Sequence, residues 1–114
     1  MKNIYLGKLG EEKAVEFLKK NGYRIIDRNF KTKIGEIDII AKKKKEIVFI
    51  EVKTRSSDNF GLPEEAINKQ KLRRIEKTAL LYLNFKKIDL PFKFEVLSIQ
   101  KEGEDFKFEI ISLS

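Results

Sequence analysis

Two stretches and the basic turn between them decide the fold: Gly35-Glu36-Ile37-Asp38-Ile39-Ile40-Ala41 and Glu46-Ile47-Val48-Phe49-Ile50-Glu51-Val52-Lys53, separated by residues 42–45. In the first, Ile37, Ile39 and Ala41 alternate with Glu36, Asp38 and Ile40, the period of a strand. The second carries Ile47-Val48-Phe49-Ile50, apolar on both faces, as a central strand covered on each side requires. A tight hairpin around Lys44-Lys45 makes residues whose numbers total 89 face each other, which sets Asp38 opposite Glu51. Directly opposed side chains on one face have Cβ atoms about 4.5–5.5 Å apart. Lys53, two residues beyond Glu51, projects from the same face. Two carboxylates and an amine thus converge at the end of the most buried strand.

Working outward, residues 4–20 carry a helical pattern in which Leu6, Gly10, Ala14 and Phe17 share a face flanked by Leu9 and Leu18. Asn21-Gly22 supplies the stop, and residues 23–31 read as a strand ahead of the hairpin. Residues 54–63 are polar, contain Gly61 and read as a loop. A second amphipathic helix is expected from Glu64 to about Phe85, with Ile67, Leu72, Ile75, Ala79, Tyr82 and Leu83 inward. Glu64 and Glu65 suit the dipole at its N-terminal end. Strands near 92–100 and 106–113 flank a turn at Gly103. The order α-β-β-β-α-β-β predicts a mixed α/β domain, one unit over residues 1–114 with a helix on each side of the sheet.

The chain has 114 residues, with 25 Lys+Arg against 18 Asp+Glu for a net charge of +7, and no His, Cys or Trp. Those absences exclude Ser-His-Asp and Cys-His nucleophile systems, Cys/His zinc sites and any disulfide framework. Chemistry must rest on carboxylates, Lys, Arg, hydroxyls and a hard metal. Residues 1–7 contain no apolar signal core, and no stretch approaches the roughly 20 apolar residues that span a bilayer. A cytoplasmic protein with no membrane partner is expected. The basic excess favours a polyanion, nucleic acid being the commonest; an acidic membrane surface or mere solubility are the alternatives.

Two carboxylates about 4.5 Å apart repel by roughly 3–4 kcal/mol at an effective dielectric of 20. That is a large share of a domain's net stability of about 5–15 kcal/mol. A divalent cation reverses the sign. Mg²⁺ (or Mn²⁺) takes oxygen ligands, and at Asp38 and Glu51 it would polarise a phosphodiester and acidify a water. Lys53 would position or deprotonate that water, or stabilise charge on phosphorus. The spacing alone equally permits a structural ion triad in which Lys53 pairs with Glu51 or Asp38.

Glu11 shares a helical stripe with Ala14, Val15 and Leu18, whereas Glu12 and Glu16 face water. It either supports a metal site or turns its carboxylate to solvent at the edge of the stripe. Gly7 and Gly10 permit close backbone approach or simply loosen the helix start. Thr54 and Arg55 follow the acidic pair directly, where they would hold flanking phosphates. In the second helix Lys71 and Arg74 flank the apolar stripe and are the expected nucleic-acid contacts, while Arg73 and Lys77 point outward. Residues 42–45 need be no more than a soluble turn, and Gln70 receives no role.

With these residues in view, the chain resembles the YraN-like family of small bacterial proteins. The matching segments are Gly7-x-x-Gly10-Glu11-x-x-Ala14, Gly22-Tyr23, Arg28-Asn29, Gly35-Glu36-Ile37-Asp38, Phe49-Ile50-Glu51-Val52-Lys53-Thr54-Arg55, Phe60-Gly61-x-Pro63-x-Glu65-Ala66 and Lys71-x-x-Arg74. That family is placed in the restriction-endonuclease-like superfamily, with its PD-(D/E)xK motif, among relatives of archaeal Holliday-junction resolvases. The resemblance implies a restriction-endonuclease-like mixed sheet of four to five strands with helices on both faces. It implies that Asp38, Glu51 and the Val52 carbonyl bind a divalent metal, that Lys53 serves hydrolysis, and that Glu11 completes the acidic cluster. Ile37 stands where the superfamily motif has Pro, as in many members.

The leading expectation is a Mg²⁺-dependent nuclease acting on structured or branched DNA in repair or recombination, with RNA also open. Cutting two opposed strands would need two sites, hence a homodimer, although no sequence feature signals one. The competing readings are a nucleic-acid-binding module without turnover and an interaction scaffold.

Overall fold

The computed structural model describes residues 2–56 and 68–113, with side chains from residue 7 onward. Its elements are α1 (Lys2–Lys20), β1 (Arg24–Lys31), β2 (Glu36–Lys43), β3 (Glu46–Ser56), α2 (Lys69–Lys86), β4 (Phe92–Glu102) and β5 (Asp105–Leu113). The strands form one sheet in the order β1-β2-β3-β4-β5. Every neighbouring pair is antiparallel except β3–β4, which is parallel and joined by the connection containing α2. This is the expected mixed α/β architecture, a five-stranded sheet flanked by two helices.

Strand β3 organises the interior. Val48 and Ile50 join Ala14 and Leu18 of α1, together with Ile39, Ala41, Leu97 and Ile99, in one buried cluster. Ile47 and Phe49 join Ile75, Ala79 and Tyr82 of α2, with Ile37 and Ile40, in the other. The continuous apolar run is thus covered on both faces, one helix to each. The β2–β3 hairpin pairs Ile39 with Ile50, Ala41 with Val48 and Lys43 with Glu46, in the expected register around Lys44-Lys45.

Both helices end on a left-handed residue. Gly22 (φ 87) closes α1 while the Tyr23 N–H donates to the Leu18 carbonyl at 2.9 Å. Lys87 (φ 55) closes α2. Gly103 (φ 63) makes the β4–β5 turn as expected.

Two boundaries and one facing differ from expectation. Helix α2 starts at Lys69, not Glu64, because Asn68 is extended (φ −93, ψ 175) and caps it, its side chain accepting from the Lys71 N–H at 2.7 Å. The dipole role given to Glu64 and Glu65, and the inward role of Ile67, lie outside the described residues. Strand β3 runs on through Thr54, Arg55 and Ser56, because β4 is long enough to pair with them at Ile99, Gln100 and Lys101. Finally, Ile37 does not share a face with Ile39 and Ala41: it packs with Ile40 on the α2 side, so the alternation breaks at Asp38. Opposite that break, between the pairs Arg28–Ile39 and Phe30–Ile37, Asn29 of β1 takes the left-handed conformation (φ 52). Asn tolerates that region better than most residues with a side chain.

Candidate active site

The β2–β3 backbone ladder stops at Ile39–Ile50. Continued, its next hydrogen-bonded pair would be Ile37 with Val52. Instead the Val52 N–H donates to the Asp38 carboxylate, Oδ2, at 2.8 Å. The broken alternation therefore turns the Asp38 side chain into the seam between the strands. In an extended strand a residue's N–H and C=O point to the same side, so the Val52 carbonyl faces that seam too.

Glu51 lies close enough for its charge to act on Asp38. Burial raises the Asp38 pKa from its ordinary 3.8 to about 7, and the neighbouring charge of Glu51 adds to the rise. The Val52 amide opposes the shift, and Glu36 reinforces it. A bound cation would relieve the repulsion between the two charges.

The regular alternation of β3 sends Glu51 toward α2. There it lines a cleft of about 320 Å³ together with Gly35, Asn68, Gln70, Lys71 and Arg74. Its far wall is the turn before β2. Thr32 knits that turn, its hydroxyl oxygen accepting from the Ile34 and Gly35 N–H groups at 3.1 and 3.2 Å. Gly35 packs against α2 so closely that an added Cβ would stand 3.3 Å from the Thr78 hydroxyl.

Lys71 Nζ lies 3.4 Å from Glu51 Oε1. Lys53, on the Glu51 side of β3, forms no ion pair among the described residues, so the triad in which it neutralises Glu51 or Asp38 is not what the fold builds. Lys71 supplies the cation instead. Arg74 lines the same cleft, and Arg55 follows Lys53 on the same side of β3. Thr54 faces the other way: a Cβ at Gly10 would collide with its hydroxyl, so α1 packs closely on β3 at Gly10.

Glu11 is half-buried at the edge of the Ala14–Leu18 stripe, as its wheel position indicates. Yet among the described residues no three acidic side chains come close enough to hold one ion. The acidic set is a pair. The reason is topological: α1 covers the face carrying Val52 and Thr54, and Glu51 points to the opposite one.

Sequence reasoning did not single out Asn68, and it quoted Gly35 and Glu36 only within the strand and a matching segment, with no role in the site. Asn68 carried a readable signal, a capping residue immediately before an amphipathic run. The pairing of Lys71 with Glu51 carried none, since it joins elements on opposite sides of the cleft.

A family model described as "Uncharacterised protein family UPF0102" matches residues 10–113. The chain belongs to the UPF0102 family. It is similar to the UPF0102 protein of Dictyoglomus thermophilum, 43% identical over 114 residues, covering 97% of each chain. The UPF0102 protein of Syntrophus aciditrophicus is 43% identical over 110 residues, covering 96% of this chain and 87% of that one. That of Caldicellulosiruptor saccharolyticus is 50% identical over 95 residues, covering 82% and 80%. The matched range contains every element of the site. Among the described residues no helix is long and apolar enough to cross a membrane.

Proposed function

We propose that this UPF0102 protein is a divalent-metal-dependent nuclease of the PD-(D/E)xK type, related to archaeal Holliday-junction resolvases. It hydrolyses phosphodiesters in structured or branched DNA, in the cytoplasm, during repair or recombination. The observation that carries this reading is the seam itself: Asp38 held on the Val52 amide and close enough to Glu51 to feel its charge, at the end of a central strand, with Lys53 two residues on.

The donor set suits a hard cation. Mg²⁺ is commonly bound by one or two carboxylates, waters and substrate phosphates, without a full protein cage. Asp38, Glu51 and the Val52 carbonyl would hold Mg²⁺ or Mn²⁺, and the crowding of the two acids gives the ion a favourable place. The bound ion would supply Lewis acidity toward the phosphodiester and lower the pKa of a water.

The chain's own residues supply the rest. Lys53 brings an ammonium to the phosphate, offsetting charge that develops on its oxygens. Arg74 and Lys71 hold neighbouring phosphates from the α2 wall, with Arg55 further along β3. Thr54, turned toward α1, sets the spacing between that helix and the strand. Glu11 would join only if a bound ion drew it round the open end of the sheet. Two-strand cutting would be the work of a homodimer.

The test is cleavage of a four-way junction, a flap and a single strand, with RNA for comparison, in Mg²⁺ or Mn²⁺. Wild type cuts; Asp38→Ala and Lys53→Ala do not. Cleavage persisting in both variants would refute the assignment. The Lys71–Glu51 pair also suits a binding module without turnover; salt-sensitive binding unchanged by Glu51→Gln, with no products on any substrate, would select that reading.

A further inference from the structure

Glu51 is neutralised from across the cleft and not from its own strand. Lys71 stands in the first turn of α2, its backbone N–H held by the Asn68 cap, and sends its ammonium to Glu51 Oε1 at 3.4 Å. The two ends of the pair differ: the Glu51 side chain is 14% exposed and that of Lys71 38%. The carboxylate is fixed in the wall, while the lysine rests in the mouth of the cleft on a flexible four-carbon stem. Asp38 meanwhile is occupied by the Val52 amide. Among the described residues, the one ammonium paired with the acidic couple is therefore also the movable one.

We propose that Lys71 is an internal substitute for the divalent cation. It holds Glu51 in the metal-free protein, is displaced when an ion binds to Asp38 and Glu51, and is thereby released to a phosphate oxygen in the cleft beside Arg74. This rests on the metal-site reading above. An ammonium and a divalent ion on the same carboxylate repel each other, so binding the ion weakens the Lys71 contact. The released side chain stays inside a cleft already lined by Arg74 and Gln70. An anion arriving there meets two cations after metal binding, where before one was engaged. Linkage makes this reciprocal: nucleic acid that captures Lys71 removes it from Glu51 and tightens the metal site. Metal and nucleic acid consequently bind cooperatively, with Lys71 as the coupling residue.

The experiment is calorimetric titration of Mn²⁺ into the metal-free wild type, Lys71→Met and Asp38→Asn, with folding checked by circular dichroism. Methionine keeps much of the stem and removes the charge. Lys71→Met should bind Mn²⁺ about fivefold tighter than wild type, the worth of a partly exposed ion pair, and Asp38→Asn should give no heat. A second measurement follows a fluorescein-labelled four-way junction by anisotropy, in EDTA and with Ca²⁺ in place of Mg²⁺. Wild type should bind it more tightly with Ca²⁺, and Lys71→Met should lose that increment. Unchanged or weaker Mn²⁺ affinity in Lys71→Met, with Asp38-dependent heat intact in wild type, would overturn the displacement while leaving the metal site standing. No Asp38-dependent heat in either wild type or Lys71→Met would remove the metal site and this inference together.

Discussion

Replacing Asp38 by Asn should make the metal-free protein more stable at pH 8, although the side chain is half-buried and hydrogen-bonded. The folded state raises this carboxyl from 3.8 to about 7, chiefly by burial and then by the charge of Glu51. Between those values the folded chain keeps a proton that the unfolded chain has lost, so stability falls as pH rises from about 4 to 7 and levels off above. A rise of roughly three pKa units corresponds to about 4 kcal/mol at 1.36 kcal/mol each. Relaxation around the site makes about 2–4 kcal/mol the expected gain. Asparagine is nearly isosteric and retains an oxygen for the Val52 N–H, so the main change is the lost charge. At about 4 °C per kcal/mol for a chain of this size, Asp38→Asn should melt some 8–16 °C above wild type at pH 8 in EDTA. The two melting curves should converge toward pH 4. Saturating Mg²⁺ or Mn²⁺ should narrow or reverse the gap, because an ion at 100 times its Kd adds about 2.7 kcal/mol to wild type alone. Thermal melts by circular dichroism between pH 4 and 9 decide it. A variant less stable than wild type at pH 8, or a difference that does not change with pH, would refute the description of Asp38 as a crowded, desolvated acid.

Three further substitutions test the frame around the site. Gly10→Ala drives a Cβ into the Thr54 hydroxyl and should cost about 1–3 kcal/mol in urea denaturation; adding Thr54→Ala should recover part of the loss, and full additivity would contradict the contact. Tyr23→Phe removes the hydroxyl that donates to the buried Glu95 at 2.7 Å and should cost about 1–3 kcal/mol; a midpoint unchanged within error would contradict that role. Asn68→Ala deletes the cap of α2 and should cost about 1 kcal/mol, with faster hydrogen exchange at the Lys71 amide as the local readout.

The sequence made some of this site legible and hid the rest, for identifiable reasons. The hairpin register could be read because a short basic turn lies between two apolar segments, and one slipped residue would move every side chain of a strand to the other face. The double apolar run of β3 likewise announced a strand covered on both sides. The strand's polar continuation was hidden: Thr54, Arg55 and Ser56 have loop composition and are held extended by pairing with β4, a long-range effect that local propensity does not carry. The crossing of Ile37 to the α2 face was hidden too, since simple alternation assumes an unbroken ladder. In the site, counting brought Asp38 and Glu51 near each other, but the regular pairing ends at Ile39–Ile50 short of them, and the neutralising partner did not follow from counting. Lys53 was the natural choice on its own strand, whereas Lys71 arrives through the packing of α2.

The hairpin also works as a pair of arms measured from a common pivot. Lys43 and Glu46 are partners at the pivot, and five steps back along one arm and five forward along the other reach the two acids. Residues could be added to the pivot itself, or in matched numbers to both arms, and the acids would still meet. One residue gained or lost on a single arm would separate them while leaving every helix in place. Length variation among such chains should therefore be tolerated at residues 44–45 and selected against between the pivot and either carboxylate, a constraint on spacing that stands apart from any constraint on residue type.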